Sequence, residues 1–247
     1  MKFVKALVFI SILLLQGCNA HRHSTAENNL EKVGEITATI PEAAKFLPGF
    51  PAFEDTEAFF NDSILYQRGK ALRDTERGKQ AIADANIQFN HFLEIFGEIM
   101  EVNLSEENTP AIARYMNAVY DYTGQGIMNA KGSFERQRPF KHFGEPTSIP
   151  EEEEKLGKYS SYPSGHSTMA FTMALALTAI DDEHEYDIIH LGYELGQSRV
   201  IVGYHYQSDV DAGRMAASVT FAKIVADEEF IRLMNLAKKE LKELRNK

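Results

Sequence analysis

The chain has 247 residues, 44% of them hydrophobic and 25% charged, with 16 glycines, 8 prolines and a single cysteine. That composition suits one globular domain with a sizeable core and excludes a disordered chain, a collagen-like repeat and a disulfide scaffold. With 26 basic residues against 36 acidic ones the formal charge is −10, which argues against a basic face for nucleic acid.

Residues 1–20 read as an export signal, with Lys2 and Lys5 ahead of the apolar run from Ala6 to Leu15. Two processing routes are open. Leu15-Gln16-Gly17-Cys18 resembles a bacterial lipobox, in which Cys18 is lipidated and becomes the mature N-terminus, although Gln16 departs from the usual small or aliphatic residue. Ordinary cleavage after Ala20 is the other route. Either way the chain crosses the inner membrane, to be periplasmic or lipid-anchored, and loses two lysines but no acid. No second cysteine is left to form a disulfide, so the core must supply the stability.

Residues 21–54 divide into a polar tether, 21–32, and an irregular stretch punctuated by Pro41, Pro48 and Pro51. Within it Ile36 to Ile40 alternates like a short strand, yet nothing nearby alternates to pair with it. From 55 to 247 helical periodicity dominates, and the expectation is an all-α fold, a single compact multi-helix domain. Ile82, Ala85, Phe89, Phe92, Phe96 and Ile99 recur three or four apart, as if on one apolar face. Thr109-Pro110 predicts an N-cap and first-position proline ahead of the stripe Ile112, Met116, Val119 and Ile127. Residues 132–162 break the pattern with three prolines and the acidic run Glu151 to Glu154, and predict a long loop with a solvated acidic face. Helices resume at about 165–180, 184–199, 208–225 and 227–245. The stretch Met169 to Ile180 is apolar but too short to span a bilayer.

Three segments carry chemistry. Lys131 stands seven residues before Arg138-Pro139, Ser161-Tyr162-Pro163-Ser164-Gly165-His166 opens the apolar helix, and Ser198-Arg199 leads to His205 and Asp209. A helix starting at Ser164-Gly165-His166 offers unpaired N–H groups and a positive dipole end to an anion. Lys131, Arg138 and Arg199 can surround the same anion, the guanidinium forks matching phosphate oxygens. Asp209 can hold one imidazole nitrogen of His205 and leave the other free. That pairing comes from a shared helix face, or from loop geometry if Ser208 is the N-cap. No cluster with metal-ligand spacing stands out, and no cofactor motif is visible. His21, His23, His91, His142, His184 and His190 read as structural.

Taken together, these segments reproduce in order the signature K-x6-R-P, P-S-G-H and S-R-x5-H-x3-D. On that signature the chain resembles the superfamily of bacterial class A non-specific acid phosphatases, type 2 phosphatidic acid phosphatases and vanadium-dependent haloperoxidases. All eleven specified positions match. Ser-Tyr-Pro-Ser-Gly-His is most similar to the class A acid phosphatases, as are Arg73-Asp74, Glu107-Asn108-Thr109-Pro110 and Gly192-Tyr193-Glu194. The likeness covers roughly residues 55–225. Ser160 stands where that family usually has Gly, and Ser167 where it often has Thr.

The resemblance implies an active site built from loops and helix ends that acts on small phosphorylated substrates without metal or cofactor. His205 would attack phosphorus, Asp209 would orient it and His166 would protonate the leaving alcohol. Lys131, Arg138, Ser164, Gly165 and Arg199 would hold the phosphate oxygens. It also implies vanadate inhibition and makes a homodimer reasonable, and it leaves phosphotransfer and nucleotide hydrolysis open as further activities. Haloperoxidases share the signature only within a much larger scaffold, and lipid phosphatases place it between membrane spans that are missing here. A surface lipoprotein that binds phosphate without turnover would not need both His205 and His166.

Overall fold

A computed structural model describes residues 36–54 and 56–246. The export signal, the lipobox with Cys18 and the tether lie outside the described residues. Ten α-helices follow in order: α1 (Thr56–Ala71), α2 (Glu76–Ala83), α3 (Phe89–Ile99), α4 (Pro110–Lys131), α5 (Pro139–Phe143), α6 (Glu153–Leu156), α7 (Gly165–Thr178), α8 (Glu185–Ile201), α9 (Gln207–Ile224) and α10 (Glu228–Arg245). Two short 3-10 turns, Ala43–Lys45 and Pro150–Glu152, complete the regular structure among the described residues. The fold is all-α.

α7 is the axis of the domain. A helix apolar on all sides has to be buried on all sides, and Met169, Ala170, Met173, Ala174, Ala176 and Leu177 are all inaccessible or nearly so. α4, α8 and α9 surround it, α10 covers α4, and α1 and α2 lie on the outer side of α8. α10 is amphipathic instead, burying Phe230, Leu233, Ala237 and Leu241 and turning its charges outward. The ends of α4, α7 and α8 and the start of α9 meet on one side of this bundle, where the sequence motifs lie.

Several local expectations change. The apolar series from Ile82 to Ile99 belongs to two helices, because residues 84–88 turn between α2 and α3, and Ile82 is 42% exposed. Residues 36–40 do alternate in burial, but as an extended segment without a partner strand. Its polar groups go to helices: Asp227 accepts from the N–H and hydroxyl of Thr37 and from the N–H of Ala38, and the Tyr122 hydroxyl donates to the Thr39 carbonyl. Thr109 occupies the N-cap position of α4, but its hydroxyl bonds to the Ser105 backbone. The orphan N–H groups of Ala111 and Ile112 are met instead by the Glu240 carboxylate of α10, at 3.0 and 2.9 Å.

The predicted long loop, 132–162, is not structureless. Arg138 is the N-cap of α5, and Pro139 sits at its first position. The acidic run forms the second 3-10 turn and α6. It is more than a solvated face, since Glu152 accepts from the Tyr204 hydroxyl and Glu153 from the Thr147 N–H. The Tyr162-Pro163 peptide bond is cis.

Asp227 also caps α10, accepting from the N–H groups of Glu229 and Phe230. Burial opposes its charge, but these bonds and those from Thr37 and Ala38 outweigh it and lower its pKa. Replacing Asp227 by Ala therefore costs about 1–2 kcal/mol in urea unfolding at neutral pH, the range of a lost N-cap. A carboxyl lowered in the native state stabilises fully above its unfolded value, and the effect is lost as pH falls through the native one. The difference between variant and wild type should shrink in acid.

Candidate active site

Each sequence-predicted group arrives at an element end. Lys131 is the last residue of α4, Arg138 the cap of α5, and Ser164 the cap of α7, accepting from the Ser167 N–H. Gly165 opens α7 against α4, where a Cβ would lie 2.7 Å from Ile127 Cγ2, so only glycine fits without a shift. Arg199 lies in the last turn of α8. The chain then turns through Gly203, whose φ of 91° suits glycine and whose missing Cβ leaves room for the Arg73 guanidinium. His205 follows in this turn, ahead of α9.

The His205–Asp209 pairing is thus the loop-geometry alternative, with Tyr206 rather than Ser208 at the N-cap position. Asp209 is the third helical residue and accepts from the Tyr206 N–H at 2.9 Å, an arrangement that also brings Oδ2 within 3.4 Å of His205 Nδ1. Ser161 Oγ donates to the same oxygen at 2.6 Å.

A cavity of about 220 Å3 gathers Lys131, Arg138, Gly165, His166, Arg199 and His205 in its lining. The rest of its wall is apolar or aromatic and includes Ile87, Tyr120, Met128, Tyr159 and Met169. Asp209 and Ser164 do not line it; they are bonded or joined to residues that do. Predicted site residues outside the described region are limited to Cys18.

The donors fix the state of His205. Arg138 Nη1 lies 3.3 Å from His205 Nε2, and a guanidinium only donates, so Nε2 carries the lone pair and Nδ1 carries the proton toward Asp209. Burial, then the charges of Arg138 and Lys131, push the His205 pKa well below its ordinary value, against the pull of Asp209. Burial opposes the charge of Asp209, but the hydrogen bond from His205 and the Arg136 charge hold its carboxyl far below the usual range. His166 has no protein partner at either ring nitrogen, and burial, Arg199 and His205 lower its pKa as well.

The three cavity cations differ in how they are occupied. Lys131 Nζ donates to the carbonyls of Ser160, Ser161 and Pro163 at 2.7, 3.2 and 2.6 Å. Burial and the neighbouring Arg138 push its pKa down to about 7. Arg138 donates to the carbonyls of Leu156 and Tyr204, and burial lowers its pKa to about 10. Arg199 stacks on Tyr204, its guanidinium carbon 4.7 Å from the ring centre, and its buried Nε and Nη1 have no protein acceptor. Unpartnered donors of a buried guanidinium suit an anion.

Sequence reasoning missed Arg136 and Asp62. Arg136, fully buried, donates to Asp209 Oδ1 at 2.6 Å and to Asp62 Oδ2 at 2.7 Å. A second arginine two residues before Arg138 was the one available signal; Asp62 on α1 had none.

Residues 114–228 match the model of the PAP2 superfamily. The non-specific acid phosphatase of Providencia stuartii is 39% identical over 188 residues, covering 76% of each chain. The chain belongs to the non-specific acid phosphatases. That of Salmonella typhi is 35% identical over 202 residues, 81% of this chain and 80% of its own, and the acid phosphatase of Zymomonas mobilis is 32% identical over 185 residues, 75% and 70%. The matched family region takes in Lys131 through Asp209, so every cation and histidine of the cavity of this acid phosphatase lies inside it, while Ile87 of the apolar wall lies before it. Among the described residues, no helix is long and apolar enough to cross a membrane.

The tautomer gives a direct check. In nitrogen-15 spectra of the free enzyme His205 should stay neutral at about pH 6, protonated at Nδ1 and bare at Nε2. A protonated Nε2 there would contradict the Arg138 contact.

Proposed function

We propose that this acid phosphatase hydrolyses phosphate monoesters through a covalent phosphohistidine on His205. The observation that carries the reading is the bare Nε2 of a buried His205, facing the cation-lined cavity while its Nδ1–H points to the Asp209 carboxylate. When a phosphate enters, Arg138 exchanges His205 for a phosphate oxygen and Nε2 faces phosphorus. The Nε2–P bond forms as the P–O bond to the alcohol breaks, and His166 gives that oxygen its proton. Water then attacks phosphorus and returns a proton to His166 as the Nε2–P bond breaks, which leaves the lone pair on Nε2 and releases phosphate. An alcohol in the place of water would accept the phosphoryl group instead.

Phosphoryl transfer has a loose transition state, so positioning and charge stabilisation are what the protein contributes. Arg199, Arg138, Lys131 and the N–H groups at the start of α7 form a fixed set of donors for the three equatorial oxygens. The incoming anion also corrects the protonation state of His166. Its own neighbours hold it neutral, and a phosphate beside it favours the imidazolium that the leaving group needs.

The apolar outer wall bears on which alcohol is preferred. Tyr120, Met128, Met169 and Tyr159 offer contact area but no charge, so esters of aromatic or apolar alcohols should be hydrolysed with higher kcat/KM than esters of polyols. The N-terminal signal supports export, with the enzyme free in the periplasm or held by a lipid on Cys18.

The test is p-nitrophenyl phosphate hydrolysis at mildly acidic pH in excess EDTA. Wild type should be active, and His205→Ala should lose all turnover through the phosphoenzyme. Replacing Arg199 by Met should lower kcat about 100-fold or more, the scale of one lost transition-state donor. Vanadate should inhibit, and the rate should be bell-shaped in pH because His205 must be bare while His166 is protonated. Full activity in His205→Ala would identify another nucleophile.

A further inference from the structure

Behind the cavity lies a buried charge system that phosphate does not reach. Asp62 on α1, Arg136 between α4 and α5, and Asp209 on α9 are 1%, 3% and 0% exposed, and the Arg136 side chain is fully enclosed. Arg136 Nη1 donates to Asp209 Oδ1 at 2.6 Å and to Ser208 Oγ at 2.7 Å, while Nη2 donates to Asp62 Oδ2 at 2.7 Å. Asp62 in turn accepts from the N–H and hydroxyl of Ser208, at 2.9 and 2.5 Å. The guanidinium lies against the Tyr206 ring, 4.1 Å from its centre. These holds come from two parts of the chain, Asp62 on α1 and residues 206–209 at the start of α9, so Arg136 is clamped between them.

The consequence falls on the Asp209 carboxylate. Oδ1 belongs to Arg136, and Oδ2 takes Ser161, the Tyr206 N–H and His205. Arg136 therefore fixes the rotation of that carboxylate and withdraws part of its charge from the imidazole. We propose that Arg136, anchored by Asp62 and Ser208, is a positioning residue that sets the plane and the effective charge of Asp209, and through it the attacking nitrogen of His205. This rests on the reading of His205 as nucleophile.

The charged and titratable groups facing His205 from the surrounding elements are Lys131, Arg138 and Asp209, with His166 and Arg199 across the cavity. None of them changes in the variants below. Asp62→Asn keeps the shape of the side chain but leaves more of the Arg136 charge unopposed. It disfavours the His205 imidazolium, so the acidic limb of kcat/KM should move to lower pH. Removing the pair together, as Asp62→Asn with Arg136→Met, deletes one charge of each sign and so keeps the net charge of the site, while Asp209 Oδ1 loses its partner. It returns the full Asp209 charge to His205, so the limb should move up by about one pH unit. It also frees the carboxylate to rotate, and kcat should fall on the order of 10- to 100-fold with KM little changed, the scale of losing a partner that orients a site ligand.

A merely structural pair would lower the amount of folded enzyme and leave the limb in place. Titrating wild type, both variants and His205→Ala with p-nitrophenyl phosphate separates the cases, since the ionisation of the substrate is common to all. Opposite shifts support the proposal. A limb that stays at the wild-type pH in Asp62→Asn, or moves the same way in both variants, overturns it. If the double variant does not fold, the Asp62→Asn shift decides alone. If wild type is inactive, or His205→Ala retains turnover, the nucleophile assignment fails instead.

Discussion

Keeping several cations dry beside one another is the constraint on which this site depends. Lys131, Arg138 and Arg199 line one small cavity with two histidines, and Arg136 lies just behind it. Burial costs each of them hydration, and their mutual repulsion adds to the cost. What makes the arrangement tenable is Asp209, wholly enclosed and ionised, with backbone carbonyls taking up donors of Lys131 and Arg138. The bundle around α7 serves this need by bringing four element ends together around one small cavity.

The same crowding organises the chemistry. Lowered pKa values at both histidines follow from burial among positive charges, and each is corrected in its own way. Asp209 holds the proton of His205 on the far nitrogen, while on the proposed reading an arriving anion would recharge His166. In the proposed mechanism the two imidazoles take opposite roles because a fixed carboxylate faces one and a transient phosphate would face the other.

Much of this was legible in the sequence. The spacing of Lys131, Arg138, Ser164-Gly165-His166, Arg199 and His205 identifies the groups that meet, because each stands beside a helix signal such as Pro139 or the apolar run of α7. What the sequence hid has physical reasons. Asp62 is 74 residues from Arg136, and nothing in α1 marks one buried carboxylate among its polar residues. The break at 84–88 contains neither glycine nor proline, so the apolar spacing ran through it undisturbed. Alternation at 36–40 reported real alternation in burial, but the neighbours are helices rather than a strand. Thr109 looks like a cap, and Glu240 from a distant helix fills that role.

The carbonyls around Lys131 and Arg138 also shape the energetics of turnover. These cations are already satisfied by Leu156, by the loop that follows α6 and by Tyr204, so the phosphate binding proposed above would exchange acceptors and create few new bonds. Such an exchange yields little net ground-state affinity, which leaves more of the interaction to be realised as charge spreads over the oxygens. It works in reverse when phosphate departs. Because these carbonyls would take the donors back, the product of the proposed reaction would leave without stranding a buried charge, and release need not become the slow step.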